Sequence, residues 1–289
     1  MALYLASLPL WQSGLLVVGV TTILSMLGPV VVRRFVPLER LSTNNEVAGF
    51  KFAVVGVIYA VMIAFAVIVV WERFADAESA VAQEAGAAAA LYRLADHLGA
   101  ADQAVAIHGR LTAYLRATID DDWPAMAHDD GSPAGTQALS ALYSAVMSLA
   151  THDARETAIL SEFFYQLDLV TQARRKRILL ASGVVPGVLW TVLLAGAGVT
   201  IGFTFFFGNE NLRAQSLMAG LLALITFMGL HVILVINYPF TGTVSVTPEA
   251  LELVLKEFAG TPGSPGASTA QEPALGGTVE PREPSDARR

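Results

Sequence analysis

The sequence predicts an all-α membrane protein: four membrane-spanning helices in two hairpins, flanking a helical soluble insert. Three observations carry that reading. Four apolar runs each reach the about 20 residues that a helix needs to cross a bilayer core. The chain of 289 residues has a mean hydropathy of +0.54 with 15% charged residues, far from soluble averages. Its charge is also segregated: residues 72–182 hold fifteen acidic and nine basic side chains, a net of −6, whereas the apolar runs hold none.

The first hairpin occupies residues 1–71, with spans at about 11–32 and 52–71. Pro37 breaks the link between them, and Asn44, Asn45 and Gly49 mark the approach to the second span. The second hairpin occupies 178–238, with spans at about 178–207 and 214–238 joined by Gly208-Asn209-Glu210-Asn211. Residues 1–10 lack a basic start, so the first run is expected to stay as a span rather than act as a cleaved leader.

Between the hairpins, 72–177 forms the insert. Phe74, Val81, Ala88, Leu91, Leu94 and Leu98 recur at helical spacing, which predicts a helix continuing out of the second span. Ala85 and Ala87 to Ala90 allow close approach, and the stripe Leu139, Leu142, Val146 and Leu149 is the expected antiparallel partner. Leu160, Phe163, Phe164, Leu167 and Val170 then lead into the third span, with a hinge expected at 123–135. Residues 239–258 read as a turn, a short extended or strand segment and a short amphipathic helix packing on the insert. The Gly/Pro/Ser-rich stretch 259–289 reads as disordered.

Several chemistries are absent from the sequence. It contains no cysteine, so disulfides and thiolate metal sites are excluded. No phosphate-binding loop, dinucleotide fingerprint, zincin helix or nucleophile elbow occurs, so no catalytic residue, cofactor or metal is expected. The acidic balance disfavours nucleic acid. His97, His108, His128 and His152 show no ligand spacing and read as surface or packing residues. His231 differs, because a titratable side chain inside the fourth span is costly and often functional. The acidic stretch of Asp120, Asp121, Asp122, Asp129 and Asp130 lacks an EF-hand register and reads as a solvated loop. The basic run Arg174–Arg177 reads as lipid-headgroup contact beside the third span. Basic residues near span ends number five on each side, so charge counting does not orient the chain.

The constellation that suggests transport surrounds the second span. Thr43, Asn44, Asn45, Glu46 and Gly49 stand at its mouth, Phe52, Tyr59, Phe65 and Trp71 lie along it, and Glu72 and Glu84 lie beyond. Around a shared axis, the face Phe52, Val55, Tyr59 and Met62 would form hydrophobic constrictions, with Glu46 as a carboxylate ring at the entrance. A plainer reading is that Asn45 caps the helix and Glu46 complements its dipole. Four thin spans are too few to enclose a conduit alone, so a homo-oligomer is expected.

The segment NNEVAGFKFAVVGVIYAVMIAFAVIVVWERFADAESAVAQEAG, from Asn44 to Gly86, resembles the bestrophin-like domain family of bacterial and plant membrane proteins. NYPFTGTVSVTPEALELVL, from Asn237 to Leu255, is similar to that family's other recurrent element. The resemblance implies an oligomer of four or five subunits whose second spans line a central pore, with a cytoplasmic insert forming a vestibule and the chain in a bacterial inner membrane. Asn45, Glu46, Phe52, Tyr59 and Phe65 are then the expected pore or selectivity residues, and Glu72 and Glu84 the expected vestibule residues. The bestrophins' close-set phenylalanines and calcium clasp are not matched, so anion selectivity and calcium gating do not carry over. The acidic insert and Glu46 lean toward a monovalent cation such as potassium. The alternatives are a bestrophin-type chloride channel and a non-conducting scaffold or sensor.

Overall fold

The computed structural model describes residues 2–260, apart from Asn44, His128, Asp129 and His152. The expected tail at 261–289 lies outside the described residues. Every regular element described is helical, with no strand.

Among the described residues, four helices are long and apolar enough to cross a membrane. After α1 (Ala2–Ser7), helix α2 (Leu10–Gly14), a π-helical turn (Leu15–Gly19) and α3 (Val20–Phe35) run on as one 26-residue span. A short α4 (Leu38–Ser42) precedes α5 (Asn45–Ala95). With 51 residues, α5 extends about 76 Å at 1.5 Å per residue, far more than a bilayer core. No proline or turn signal interrupts it, so the second span and the first insert helix are one rod. The insert continues with α6 (Ala101–Ala117), a π-helical turn (Thr118–Asp122), α7 (Trp123–Met126), α8 (Pro133–Met147) and α9 (Ala154–Leu179). Two further spans follow, α10 (Gly187–Thr204) and α11 (Leu212–Ile236), and then α12 (Glu249–Gly260).

Among the described residues, side-chain caps fix three helix starts. Ser132 accepts from the Gly135 amide at 3.0 Å and Asp153 from Glu156 at 2.7 Å, while Asn211 accepts from Arg213 and Ala214 at 3.1 and 3.2 Å. Each satisfies amide donors that a helix leaves orphaned.

The third span begins later than its apolar run suggests. Leu179 ends α9 and Pro186 stands just before α10, so the intervening residues turn rather than cross. Asn237 holds that turn, its Oδ1 accepting from the Val185 amide at 2.8 Å. The expected strand within 239–246 is a series of bends, closed by the Val246 amide donating to Pro239 O at 2.7 Å. Gly242, with φ +93°, packs against the carbonyl of Ala6; a side chain there would strain the backbone and strike α1. Helix α12 continues through Ala259 and Gly260, two residues into the stretch expected to be disordered.

Partners also differ from expectation in the insert. The alanine-rich half of α5 packs on α9 and α12, and α8 packs mainly on α6. A large core results, centred on Ala88, Leu91, Leu111, Tyr114, Leu142, Phe163 and Leu167 and closed by Leu251 and Phe258 of α12. The membrane core is smaller: Tyr59, Ala66, Val70, Leu193, Ala197, Leu230 and Ile233 join α5, α10 and α11, while α3 lies along α11. Small residues set these approaches, since a Cβ on Gly196 would meet the Tyr59 ring and one on Gly28 the Phe205 ring.

Candidate functional site

Helix α5 has two unlike faces. Phe52, Val55, Tyr59 and Met62, expected to look onto an axis, instead face α10. Tyr59 is 5% exposed and donates its hydroxyl to Leu193 O at 2.9 Å. Phe52 lies against Phe203 and Phe207, with ring centroids 5.9 and 5.7 Å away, and Val55 and Met62 flank Gly196 and Val199. These are helix-packing residues, because glycine in α10 makes room for them.

The opposite face is bare. Phe50, Val54, Val57, Val61, Phe65, Ile68 and Glu72 follow one another at steps of three and four, and all are exposed in the single chain; Phe65 is 64% exposed. The stripe continues below as Ala75, Ser79, Ala82 and Gly86, also exposed. Of the residues singled out from the sequence, Phe65 and Glu72 lie on this face, and Glu46 is exposed in the first turn of α5.

Asn45 has a different task. Its Nδ2 donates to Gly208 O at 2.7 Å and its Oδ1 accepts from Gly208 N at 3.0 Å, so it clamps the α10–α11 link to the start of α5 rather than capping its own helix or facing a conduit. Gly208 is required there, as a Cβ would come within 2.5 Å of Ser42 N.

Glu84 is a correction of the same kind. Expected on a vestibule wall, it is 0% exposed and enclosed between α5, α6 and α9. Arg177 meets it with two bonds, Nε to Oε2 at 2.7 Å and Nη2 to Oε1 at 3.1 Å, and Tyr114 donates to Oε1 at 2.5 Å. Nη2 of Arg177 also reaches Asp122 Oδ2 at 3.2 Å, and the guanidinium lies 5.2 Å from the Trp123 ring centroid. Asp122 is in turn gripped by Arg174, Nε to Oδ2 at 2.8 Å and Nη2 to Oδ1 at 3.1 Å, and by the Ser132 amide at 2.9 Å.

Two of the four members of the basic run thus lie inside the insert, and Asp122 is buried rather than solvated. The run is amphipathic: Arg174 and Arg177 point inward, while Lys176 pairs with Asp76 at 2.8 Å near the surface. Two cations and two anions leave the network neutral, which is what makes its burial tolerable.

Burial works to raise the Asp122 pKa, but the Arg174 hydrogen bond and charge, the Ser132 amide and Arg177 outweigh it and hold the carboxyl below its usual range. Burial, then the Glu84 charge, pushes the Tyr114 hydroxyl up. At the surface, the Lys176 hydrogen bond and charge lower Asp76.

His108 stacks on Tyr92 at 3.8 Å and approaches Asp96 at 3.4 Å, and His97 bonds the Arg93 carbonyl; both are packing or surface histidines. His231 lies beside Gly14, whose Cβ, if present, would be 3.6 Å from its Nε2. Asn44, Asp129, His128 and His152 lie outside the described residues. Among the described residues no three His, Asp or Glu side chains converge on a metal position.

A long helix with an inner packed face and an outer bare one, continuing into a polar-cored bundle, defines the class: a four-span membrane protein built around an elongated second span. The chain belongs to the bestrophin-like domain family, whose model matches residues 19–251. It is similar in fold to a bestrophin homologue from Klebsiella pneumoniae. One variant of that protein superposes with a TM-score of 0.65 at 15% identity, over 84% of this chain and 99% of the other; a second gives 0.64 at 13%, over 84% and 97%. A crystallised membrane protein variant superposes with a TM-score of 0.64 at 14% identity, over 84% and 97%. No curated protein is significantly similar in sequence.

Proposed function

We propose that this chain is the subunit of an oligomeric ion channel whose pore is walled by the bare face of α5, from Phe50 to Ile68. One observation carries the reading: a face of seven residues at helical spacing, apolar through the bilayer and ending in Glu72, has no partner among the described residues. Copies of the chain arranged around an axis, in number four or five, would turn that face into a ring-by-ring hydrophobic constriction of Val57, Val61 and Phe65, with Glu72 as a carboxylate ring where the helix leaves the apolar zone. Family membership supports the arrangement, and by the same likeness the insert lies in the cytoplasm beneath a bacterial inner membrane, with lipid around α3, α10 and α11.

Monovalent cations, potassium foremost, are the proposed permeant ions. Pairing of Glu84 and Asp122 with Arg177 and Arg174 removes equal charge of each sign, so the insert keeps its net −6. Rings of Glu72, and of Glu46 at the opposite mouth, add negative potential to that field.

Purified protein in a planar bilayer with a potassium chloride gradient tests this. A reversal potential on the potassium side supports the proposal, one on the chloride side replaces it with an anion channel, and no current under any ionic condition overturns conduction in favour of a scaffold or sensor. In the first case Glu72→Gln lowers the cation preference.

A further inference from the structure

The two hairpins leave a cavity of about 690 Å³ between the start of α5, the end of α10 and the first turns of α11. That is the size of a small-molecule site. Phe52, Phe207, Met218 and Leu222 give it an apolar floor. Met218 is also more than half exposed, and Leu217 and Leu221 beside it are exposed, so the cavity opens onto the apolar outer surface of α11.

Most of the polar groups around it already have partners. Asn45 is bound to Gly208, the Thr204 hydroxyl donates to Ile201 O, and Asn209 Oδ1 accepts from the Asn211 amide. Two groups differ. Gln215 is only 4% exposed, and its Nε2 donates to Phe207 O at 2.5 Å and Phe205 O at 3.4 Å. Those bonds fix the amide's orientation and leave its buried Oε1 with no hydrogen-bond partner among the described residues. The Glu210 carboxylate, on the cavity's link side, makes no ion pair among the described residues.

A buried acceptor without a donor is a standing cost, and a carboxylate lining the same cavity favours a ligand with positive charge. We infer that this cavity binds an amphiphile carrying a primary ammonium, its N–H groups meeting Gln215 Oε1 and Glu210 while its alkyl chain lies along Phe52, Met218 and Leu222. A quaternary ammonium brings charge but no N–H. An alcohol brings a donor but no charge. Two sources offer the required head: an ethanolamine phospholipid of the surrounding bilayer, and a free long-chain amine entering from it.

The test uses the full chain in nanodiscs made of phosphatidylglycerol alone, with empty nanodiscs correcting for partition. Dodecylamine, dodecyltrimethylammonium and dodecanol are titrated in turn. Dodecylamine is expected to bind in a saturable manner and about tenfold more tightly than either of the others, the factor that one charge-assisted hydrogen bond implies. Glu210→Gln, at an exposed position, is expected to weaken dodecylamine about tenfold with the melting temperature unchanged. Leu222→Trp, which fills the floor, is expected to abolish binding. Native mass spectrometry after extraction from a mixed bilayer then separates the sources: retained phosphatidylethanolamine over phosphatidylglycerol identifies the lipid, and dodecylamine binding without such retention identifies a free amine. Equal binding of all three probes, or dodecylamine binding untouched by Glu210→Gln and Leu222→Trp, overturns the inference.

Discussion

The two halves of α5 solve opposite problems with one continuous helix. Its lower half is surrounded by α6, α9 and α12 and carries a buried carboxylate inside an apolar stripe. The upper half rests one side on α10 and α11 and leaves the other bare. In water, exposed apolar surface on this scale would be a liability; in a bilayer or around a shared axis it is not, so the upper half can keep a free face only because of where it sits. The difference teaches that the insert anchors the rod and the membrane half is the part left available for function.

If the anchor is where the stability lies, breaking its charge network has the largest effect. Arg177→Met leaves Glu84 without a cation and Asp122 with Arg174 as its one cationic partner, and is expected to destabilise the protein by about 3–5 kcal/mol in thermal unfolding of the solubilised protein. The double change Glu84→Gln, Arg177→Met recovers a good part of that loss, because the uncompensated buried charge is gone.

Asn45→Ala, which removes both bonds to Gly208, is expected to cost about 1–3 kcal/mol and to loosen the outer ends of the hairpins. The loss is readable as faster amide exchange at residues 205–212 with exchange in the insert unchanged.

Acid acts later than an exposed carboxylate would suggest. Asp122 has a folded-state pKa below its ordinary 3.8, so its contribution is fully present above that value and is lost as pH falls through the lowered one. Melting temperature measured from pH 7 downward should therefore owe no loss to Asp122 until below about pH 4, with the Asp122 contribution lost at higher pH in Arg174→Met.

The smallest stability effect belongs to the bare face. Phe65→Ala should change stability by less than about 0.5 kcal/mol, the range of ordinary surface changes, while altering conductance. The equivalent cut at buried Leu91 costs about 2–5 kcal/mol.

The spans were legible because twenty uninterrupted apolar residues have few other destinations, and the rod because nothing between Asn45 and Ala95 breaks a helix. Which face of α5 looks inward was not. Residues 52–71 are apolar all round, so periodicity carries no direction, and the choice is made by Gly196 in α10, which admits Tyr59. A usable signal existed for the network. Glu84 falls on the stripe Ala77, Val81, Ala88, Leu91, and Arg174 and Arg177 fall on Phe163, Leu167, Val170; a charge at a core register asks for a partner of opposite sign. Asp122 had no such mark, since its neighbours Asp120 and Asp121 made the three look like one solvated run. The clamp was hidden too, because Asn45 at a helix start invites a capping reading and Gly208 lies 163 residues away.

The proposed pore wall stands or falls on which face of α5 the permeant ion meets. The chain has no cysteine, so single replacements can be modified one at a time without background. Current across a bilayer is measured for Val57→Cys, Val61→Cys and Val55→Cys before and after a charged thiol reagent. The pore account predicts a large change in current for Val57→Cys and Val61→Cys and none for Val55→Cys, which faces α10; a change confined to Val55→Cys, or none at any of the three, would contradict it.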